Sequence, residues 1–132
     1  MFVPITADDL KPVPLFDGLS RDKMEKIASR SIRISAYPGT HLAKEGESGF
    51  DFFIVLDGTA DVRKGDATVA SLAAGDVFGE MALLSGLKRN ADVVATSPMT
   101  LLTMMVWDFR DITKDYPVLT QRLQELASTR AD

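Results

Sequence analysis

The sequence predicts a mainly β domain, a roll or barrel of short strands with helices at both ends. Between residues 31 and 74, apolar and polar residues alternate in short runs, which is the pattern of half-buried strands. Turn residues, mostly Gly, Asp and Pro, separate these runs. Helical periodicity appears only before residue 31 and after residue 106. We therefore expect one domain over residues 1–132, with a helical part (1–30), a roll (31–106) and C-terminal helices (107–130).

Two short helices are predicted at the start of the chain. Thr6 is a good N-cap for the first, and Pro12 and Pro14 end it. Ser20 caps the second helix. Its apolar residues fall three and four positions apart, so it buries one face; they are Met24, Ile27 and Ala28.

The strand pattern begins with a half-buried strand in which Ile32, Ile34 and Ala36 share one side. A short strand over 41–45 follows, and the most apolar strand, 50–56, is expected in the core. Asp57-Gly58 predicts a hairpin to a returning strand over 59–63. The turn at Lys64-Gly65-Asp66 leads into another strand over 67–72.

The C-terminal third predicts two strands and two helices. The strands cover 89–96 and 99–106, and the first helix is expected to pack through Trp107, Phe109 and Ile112. Pro117 is favourable at the first position of a helix. The final helix, 118–129, carries one apolar stripe, which consists of Leu119, Leu123 and Leu126 with Arg122 beside it.

Composition excludes several classes of protein. The net charge of −4 argues against sequence-independent nucleic-acid binding, which needs a basic surface. No apolar run is long enough to span a membrane, the N-terminus is not a secretory signal, and there is no cysteine. That combination fits a cytoplasmic protein. A single histidine, His41, makes a cupin-like metal enzyme unexpected, and no catalytic constellation appears. We expect no metal and no enzymatic activity.

An anion site is predicted between residues 75 and 95. Gly79 lets the backbone approach a ligand closely, and the run 81–84 predicts a short helix whose first amides are free to bind phosphate. Arg89 can return across the loop as a planar two-pronged donor. Glu80 would repel a phosphate, so we expect it to accept hydrogen bonds from hydroxyl groups.

The order Phe78-Gly79-Glu80, a small apolar helix, and Arg89-Asn90-Ala91 resembles the phosphate-binding cassette of the cyclic nucleotide-binding domain family. The resemblance implies an antiparallel, jelly-roll-like β-roll with N-terminal helices, C-terminal lid helices and a cassette over 78–91. It implies cAMP or cGMP as ligand, with Arg89 on the cyclic phosphate and Glu80 on the ribose 2′-hydroxyl. The ligand-binding residues it implies are Gly79, Glu80, Met81, Ala82, Arg89 and Ala91. We add Asn90, whose side-chain amide can meet a phosphate oxygen or a guanine edge, or point to solvent.

The sequence leaves open which base is preferred and which partner responds to ligand binding. In the family, the residue after the cassette arginine is often small in cAMP readers and threonine in cGMP readers. Asn90 is neither, and the missing threonine favours cAMP. Asp92 also departs from the family pattern, but alternation places it on the opposite face of the strand. A homodimer or a regulated partner domain is compatible with the pattern. The alternative is a nucleotide-free interaction or dimerisation module with the same fold, against which the intact Glu80 and Arg89 argue.

Overall fold

The computed structural model describes residues 4–79 and 88–130, with side chains to residue 126. The helices are α1 (Ala7–Leu10), a 3₁₀ turn (Pro14–Phe16), α2 (Arg21–Ser29), α3 (Val106–Asp115) and α4 (Pro117–Arg130). The strands are β1 (Ile32–Ala36), β2 (His41–Ala43), β3 (Asp51–Asp57), β4 (Ala60–Lys64), β5 (Ala67–Leu72), β6 (Val77–Phe78), β7 (Asp92–Ala95) and β8 (Met99–Met105). The mainly β fold with flanking helices is confirmed. The helix expected over 81–84 lies outside the described residues.

Two four-stranded antiparallel sheets form the roll. The first has the order β1-β8-β3-β6 and the second β2-β7-β4-β5. The first and last strands are neighbours, because Ile32 pairs with Thr103 and Ala36 with Met99. The helices before β1 and after β8 are therefore brought to the same end of the molecule. None of the helices in the described part of the chain is long and apolar enough to cross a bilayer.

The two central strands of the first sheet, β3 and β8, are buried on both faces. Along β3, Phe52 and Ile54 face the core beneath the helices, whereas Phe53 and Val55 face the core between the two sheets. Strand β8 is divided in the same way. Side chains of successive strand residues point to opposite faces, so a continuous apolar run suits a strand with two buried faces. The apolar run at 50–56 therefore marks the central strand of the molecule.

The hairpin predicted at Asp57-Gly58 is wrong. Strand β3 pairs with β6 and β8 in the first sheet, whereas β4 pairs with β5 and β7 in the second. Gly58 does make a turn, with φ of +93°, but the chain crosses between sheets there. A turn dipeptide encodes a change of direction and does not choose the partner strand. The next turn does form a hairpin, in which Lys64 pairs with Ala67.

Two large apolar side chains are exposed where burial was predicted. Ile32 lies at the end of the edge strand β1 and is 65% exposed. Trp107 lies in the first turn of α3, is 50% exposed, and packs against the ring of Phe50 at 6.0 Å between centroids. The buried face of α3 contains Phe109 and Ile112 instead. Periodicity identifies an apolar face, but it does not show how far the neighbouring layer extends over that face.

The predicted N-caps of the first two helices are present. The backbone N–H of Thr6 donates to the Asp9 carboxylate at 3.0 Å at the start of α1. The Ser20 hydroxyl accepts from the Lys23 N–H at 3.3 Å at the start of α2. Each contact satisfies a backbone group that the helix itself leaves without a partner.

Ion pairs join α2 to α3 along one seam. Lys26 Nζ lies 2.8 Å from Asp115 Oδ2, and Arg30 Nη1 lies 3.3 Å from Asp108 Oδ1. Lys23 Nζ also sits 4.7 Å from the ring centroid of Tyr116. These exposed contacts cover an apolar core that α2 and α3 share. The core supplies most of the attachment, because exposed ion pairs contribute little individually.

The final helix packs against the N-terminal segment. Leu119 and Leu123 are buried and Leu126 is partly buried, as the apolar stripe predicted. Arg122 Nη1 donates to the Leu15 carbonyl at 2.8 Å. To act as a lid over the roll, α4 would have to leave these contacts.

The Lys26–Asp115 contact gives a pH-dependent prediction. The hydrogen bond and charge of Lys26 hold the pKa of the Asp115 carboxyl below its ordinary value of 3.8. A carboxyl with a lowered folded-state pKa contributes stability above pH 3.8 and loses it as the pH falls through the lowered pKa.

We expect Asp115→Asn to be slightly less stable than the wild type at neutral pH, with the difference vanishing in acid. Urea unfolding across this range measures it, and Asp66→Asn, in an exposed turn, is the control. A difference that persists unchanged in acid would contradict the ion-pair origin.

Candidate functional site

The backbone of Arg89 is held by the loop between β2 and β3. Its N–H donates to the Glu47 carbonyl at 2.8 Å, and its own carbonyl accepts from the Gly46 N–H at 2.8 Å. Ser48 and Lys88 form an isolated antiparallel bridge beside them. The strand predicted from residue 89 therefore begins later, at Asp92 in β7, because residue 89 pairs with a loop rather than with a strand.

The Arg89 side chain lies across the start of β3. It is half-buried, and Nη2 donates to the Asp51 carbonyl at 2.8 Å. Its Cζ lies 5.8 Å from the ring centroid of Phe53, within reach of a cation–π attraction. Phe53 is itself buried and stacked on Phe78 at 4.5 Å. A carbonyl and a fixed aromatic ring thus orient the guanidinium before any ligand is considered.

Gly79 lies directly beside this guanidinium. It follows β6, where Phe78 pairs with Phe53 of β3, and it has φ of +88°. A Cβ at Gly79 would lie 2.6 Å from the Asp51 carbonyl oxygen and 2.9 Å from Arg89 Nη1. Both the backbone conformation and the close approach require glycine. Gly79 and Arg89, ten residues apart in the chain, therefore meet at the Asp51 carbonyl.

The other predicted site residues divide into two groups. Asn90 is half-buried, and Ala91 is 5% exposed and belongs to the core between the sheets. Glu80, Met81 and Ala82 lie outside the described residues. Asp92, the departure from the family pattern, accepts a hydrogen bond at 2.6 Å from the Glu45 N–H of the β2–β3 loop. Its carboxylate therefore helps to hold that loop against β7.

A cavity of about 170 Å³ adjoins the guanidinium. It is lined by His41, Leu42, Ala43, Lys44, Glu47, Ser48, Gly49, Asp51 and Arg89. The lining is polar and carries charges of both signs. His41 lies in β2 and is exposed. Within residues 4–79 and 88–130, no group of three or more His, Cys, Asp or Glu side chains is arranged to hold a metal ion.

Sequence reasoning missed two residues that orient Arg89. Asp51 contributes its backbone carbonyl, a group that every residue type carries, so no side-chain pattern could have identified it. Phe53 contributes its ring. Strict alternation in β3 indicates that Phe53 and Phe52 face opposite ways, but it does not say which of them faces the arginine.

The family model described as "Cyclic nucleotide-binding domain" matches residues 33–116. The chain is 39% identical over 97 residues to a cAMP-dependent protein kinase regulatory subunit of Yarrowia lipolytica, covering 72% of this chain and 26% of that protein. It is 34% identical over 119 residues to a cyclic nucleotide-gated potassium channel of Rhizobium etli, covering 89% and 33%. The chain thus spans a third or less of the length of these two relatives.

Solved structures share the fold. A structure of PKAR CBD2 bound to Sp-2Cl-cAMPS superposes with a TM-score of 0.83 at 27% identity, covering 94% of this chain and 85% of that one. The regulatory domain of Toxoplasma gondii PKA with cAMP gives 0.78 at 27% identity, covering 95% and 48%. The Thermus thermophilus catabolite activator protein also gives 0.78 at 27% identity, covering 92% and 58%.

The close approach at Gly79 can be tested against a matched glycine. Gly39 has nearly the same φ, +90°, but nothing lies within 4 Å of a Cβ built on it. Gly39→Ala should therefore cost only backbone strain, about 1 kcal/mol. Gly79→Ala should cost more, because its Cβ also collides with the Asp51 carbonyl. Urea unfolding of both variants measures the difference, and equal losses would contradict the close approach.

Proposed function

The chain belongs to the cyclic nucleotide-binding domain family, and from this premise we propose that it is a regulatory domain that binds a cyclic nucleotide, with cAMP preferred over cGMP. The observation that carries the proposal is the guanidinium of Arg89 beside Gly79, both oriented on the Asp51 carbonyl. Binding is converted into movement of the flanking helices. The domain acts through this movement and not by catalysis.

The ligand is a singly charged ring diester, and an acidic chain needs a local positive site to hold it. Arg89 supplies a planar donor to the cyclic phosphate, and the backbone N–H groups of Gly79, Glu80, Met81, Ala82 and Ala91 surround it. Glu80 accepts hydrogen bonds from the ribose, and Asn90 lies next to the phosphate-binding arginine. The partial burial of Arg89 supports this assignment, because charge attraction is stronger where water is partly excluded.

The preference for cAMP is supported by the relatives. The Yarrowia lipolytica protein is named as a cAMP-dependent regulatory subunit, and the Toxoplasma gondii structure is described with cAMP. The residue after the cassette arginine is Asn90, so the threonine associated with cGMP readers is missing.

The route from ligand to helices runs through the start of β3. Asp51 accepts from the Arg89 side chain, and the adjacent Phe50 carbonyl accepts from the Val106 N–H at 2.7 Å. Val106 is the first residue of α3. A ligand that displaces the guanidinium therefore acts, through the next peptide unit and one hydrogen bond, on the residue where α3 begins. A ligand shifts the helices to the extent that it favours one of their arrangements.

The proposal includes a cytoplasmic setting and a partner that reads the helices. Such a partner is a regulated domain or a second copy of this chain. The ion-paired surfaces of α2 and α3 and the exposed Trp107 would change position when the helices move. In this proposal residues 1–132 form one cyclic nucleotide-binding domain, with the cassette over 78–91.

Substitution of Arg89 tests the phosphate assignment. We expect Arg89→Ala to lose about 2–5 kcal/mol of cAMP affinity, as truncated buried charge pairs do. Titration calorimetry with cAMP, cGMP and AMP measures the loss and the base preference. Arg110→Ala removes an exposed arginine from α3 and should bind as the wild type does. Unchanged cAMP affinity in the Arg89 variant would refute the assignment.

Helix movement can be followed through Trp107, the only tryptophan in the chain. Its indole is half exposed and contacts Phe50, so displacement of α3 from β3 alters its surroundings. We expect saturating cAMP to change the intensity or wavelength of tryptophan emission, and 5′-AMP at the same concentration to leave it unchanged. Calorimetric binding without any change in emission would argue against the proposed route through β3.

A further inference from the structure

Gly49 differs from the other described glycines. Seven of the eight glycines in residues 4–79 and 88–130 have positive φ, between 59° and 94°. Such a conformation explains why glycine is required at those positions. Gly49 has no positive φ, so its backbone is open to any L residue. Something other than backbone conformation must account for a residue without a side chain at position 49.

The space beside Gly49 is filled by the Arg89 side chain. A Cβ built at Gly49 would overlap Nε and Cζ of Arg89, and would lie 2.6 Å from Nη2. All three atoms belong to the flexible end of a long side chain. An alanine at this position would therefore displace the guanidinium and leave the backbone in place. Gly49 also lines the cavity beside Arg89, in the loop that pairs with the Arg89 backbone.

We propose that Gly49 is a positioning residue of the ligand site: its bare Cα admits the Arg89 guanidinium and sets the direction of its donors. The inference rests on the proposed function, because it concerns the same arginine. The guanidinium lies between two glycines, with Gly49 beside Nε and Nη2 and Gly79 beside Nη1. Between the two glycines, Nη2 donates a hydrogen bond to the Asp51 carbonyl. A loop residue 40 positions before Arg89 thus orients the charged group of the cassette.

The consequence for binding is geometric. A planar guanidinium binds a phosphate tightly only when its N–H donors face the phosphate oxygens. A guanidinium whose plane has shifted keeps its charge but loses the paired hydrogen bonds. Gly79→Ala cannot isolate this effect, because its positive φ adds backbone strain. Gly49→Ala can, because no such strain applies there.

The experiment is calorimetric titration of the Gly49→Ala protein with cAMP. We expect affinity to fall roughly 10- to 100-fold, as misplacement of a binding group by about 1 Å does in enzyme sites. The thermal unfolding midpoint should stay close to that of the wild type, since only a side-chain end moves. Asp66→Ala is the control, because Asp66 lies in an exposed turn and does not line the cavity, and it should bind cAMP normally.

A double-mutant cycle separates positioning of Arg89 from a general loop effect. In the Arg89→Ala background, Gly49→Ala should cause no further loss of cAMP affinity. In the otherwise wild-type protein, it should shift the Arg89 Nε–H resonance in the nuclear magnetic resonance spectrum. Additive losses, or an unmoved resonance, would overturn the inference.

The remaining outcomes are also decisive. If the wild type does not bind cAMP or cGMP, the proposed function fails first. A second outcome is that the wild type binds cAMP and that Arg89→Ala loses affinity while Gly49→Ala does not. This outcome refutes only the role of Gly49. If Gly49→Ala fails to fold, the Gly49→Ala/Arg89→Ala double variant should fold, because it lacks the overlapping guanidinium. Failure of both to fold would show that glycine is required for another reason.

Discussion

The hydrogen bond from the Arg89 guanidinium to the Asp51 carbonyl is the contact on which the site depends. It joins residues 38 positions apart at 2.8 Å. It also links the first sheet, through β3, to the segment that enters β7 of the second sheet. A charged donor on a half-buried carbonyl gives a stronger bond than two neutral groups would. The direction of the arginine is therefore set by main-chain geometry, which the whole roll holds in place.

Local signals in the sequence predicted most of the elements and the pair at the centre of the candidate site. Glycine at 79 and arginine at 89 were identified by residue type and spacing, and they are neighbours in the structure. The side-chain cap at Ser20 was also predicted, because it depends on contacts within a few residues. The ribose and phosphate contacts predicted for residues 79–82 and 89–91 remain a proposal.

The errors share one physical cause, which is that partner choice is not local. The Asp57-Gly58 turn was correctly placed, but its strands belong to different sheets. Trp107 was correctly placed on a helix, but it lies on a side of the first turn of α3 that is half exposed, whereas Val106 in the same turn is buried. The acceptor at Asp51 is a backbone carbonyl, and only the folded chain shows which of the many carbonyls meets the arginine.

Strand β3 lies between β8 and β6 and has side chains buried on both faces. Backbone amides in such a strand exchange their hydrogens with solvent only when a large part of the molecule opens, so the slowest exchange belongs in β3 and β8. Asp51 is the first residue of that strand. The acceptor of Arg89 therefore stands at the boundary between the most persistent part of the fold and a surface loop, where slow global opening gives way to faster local fluctuation.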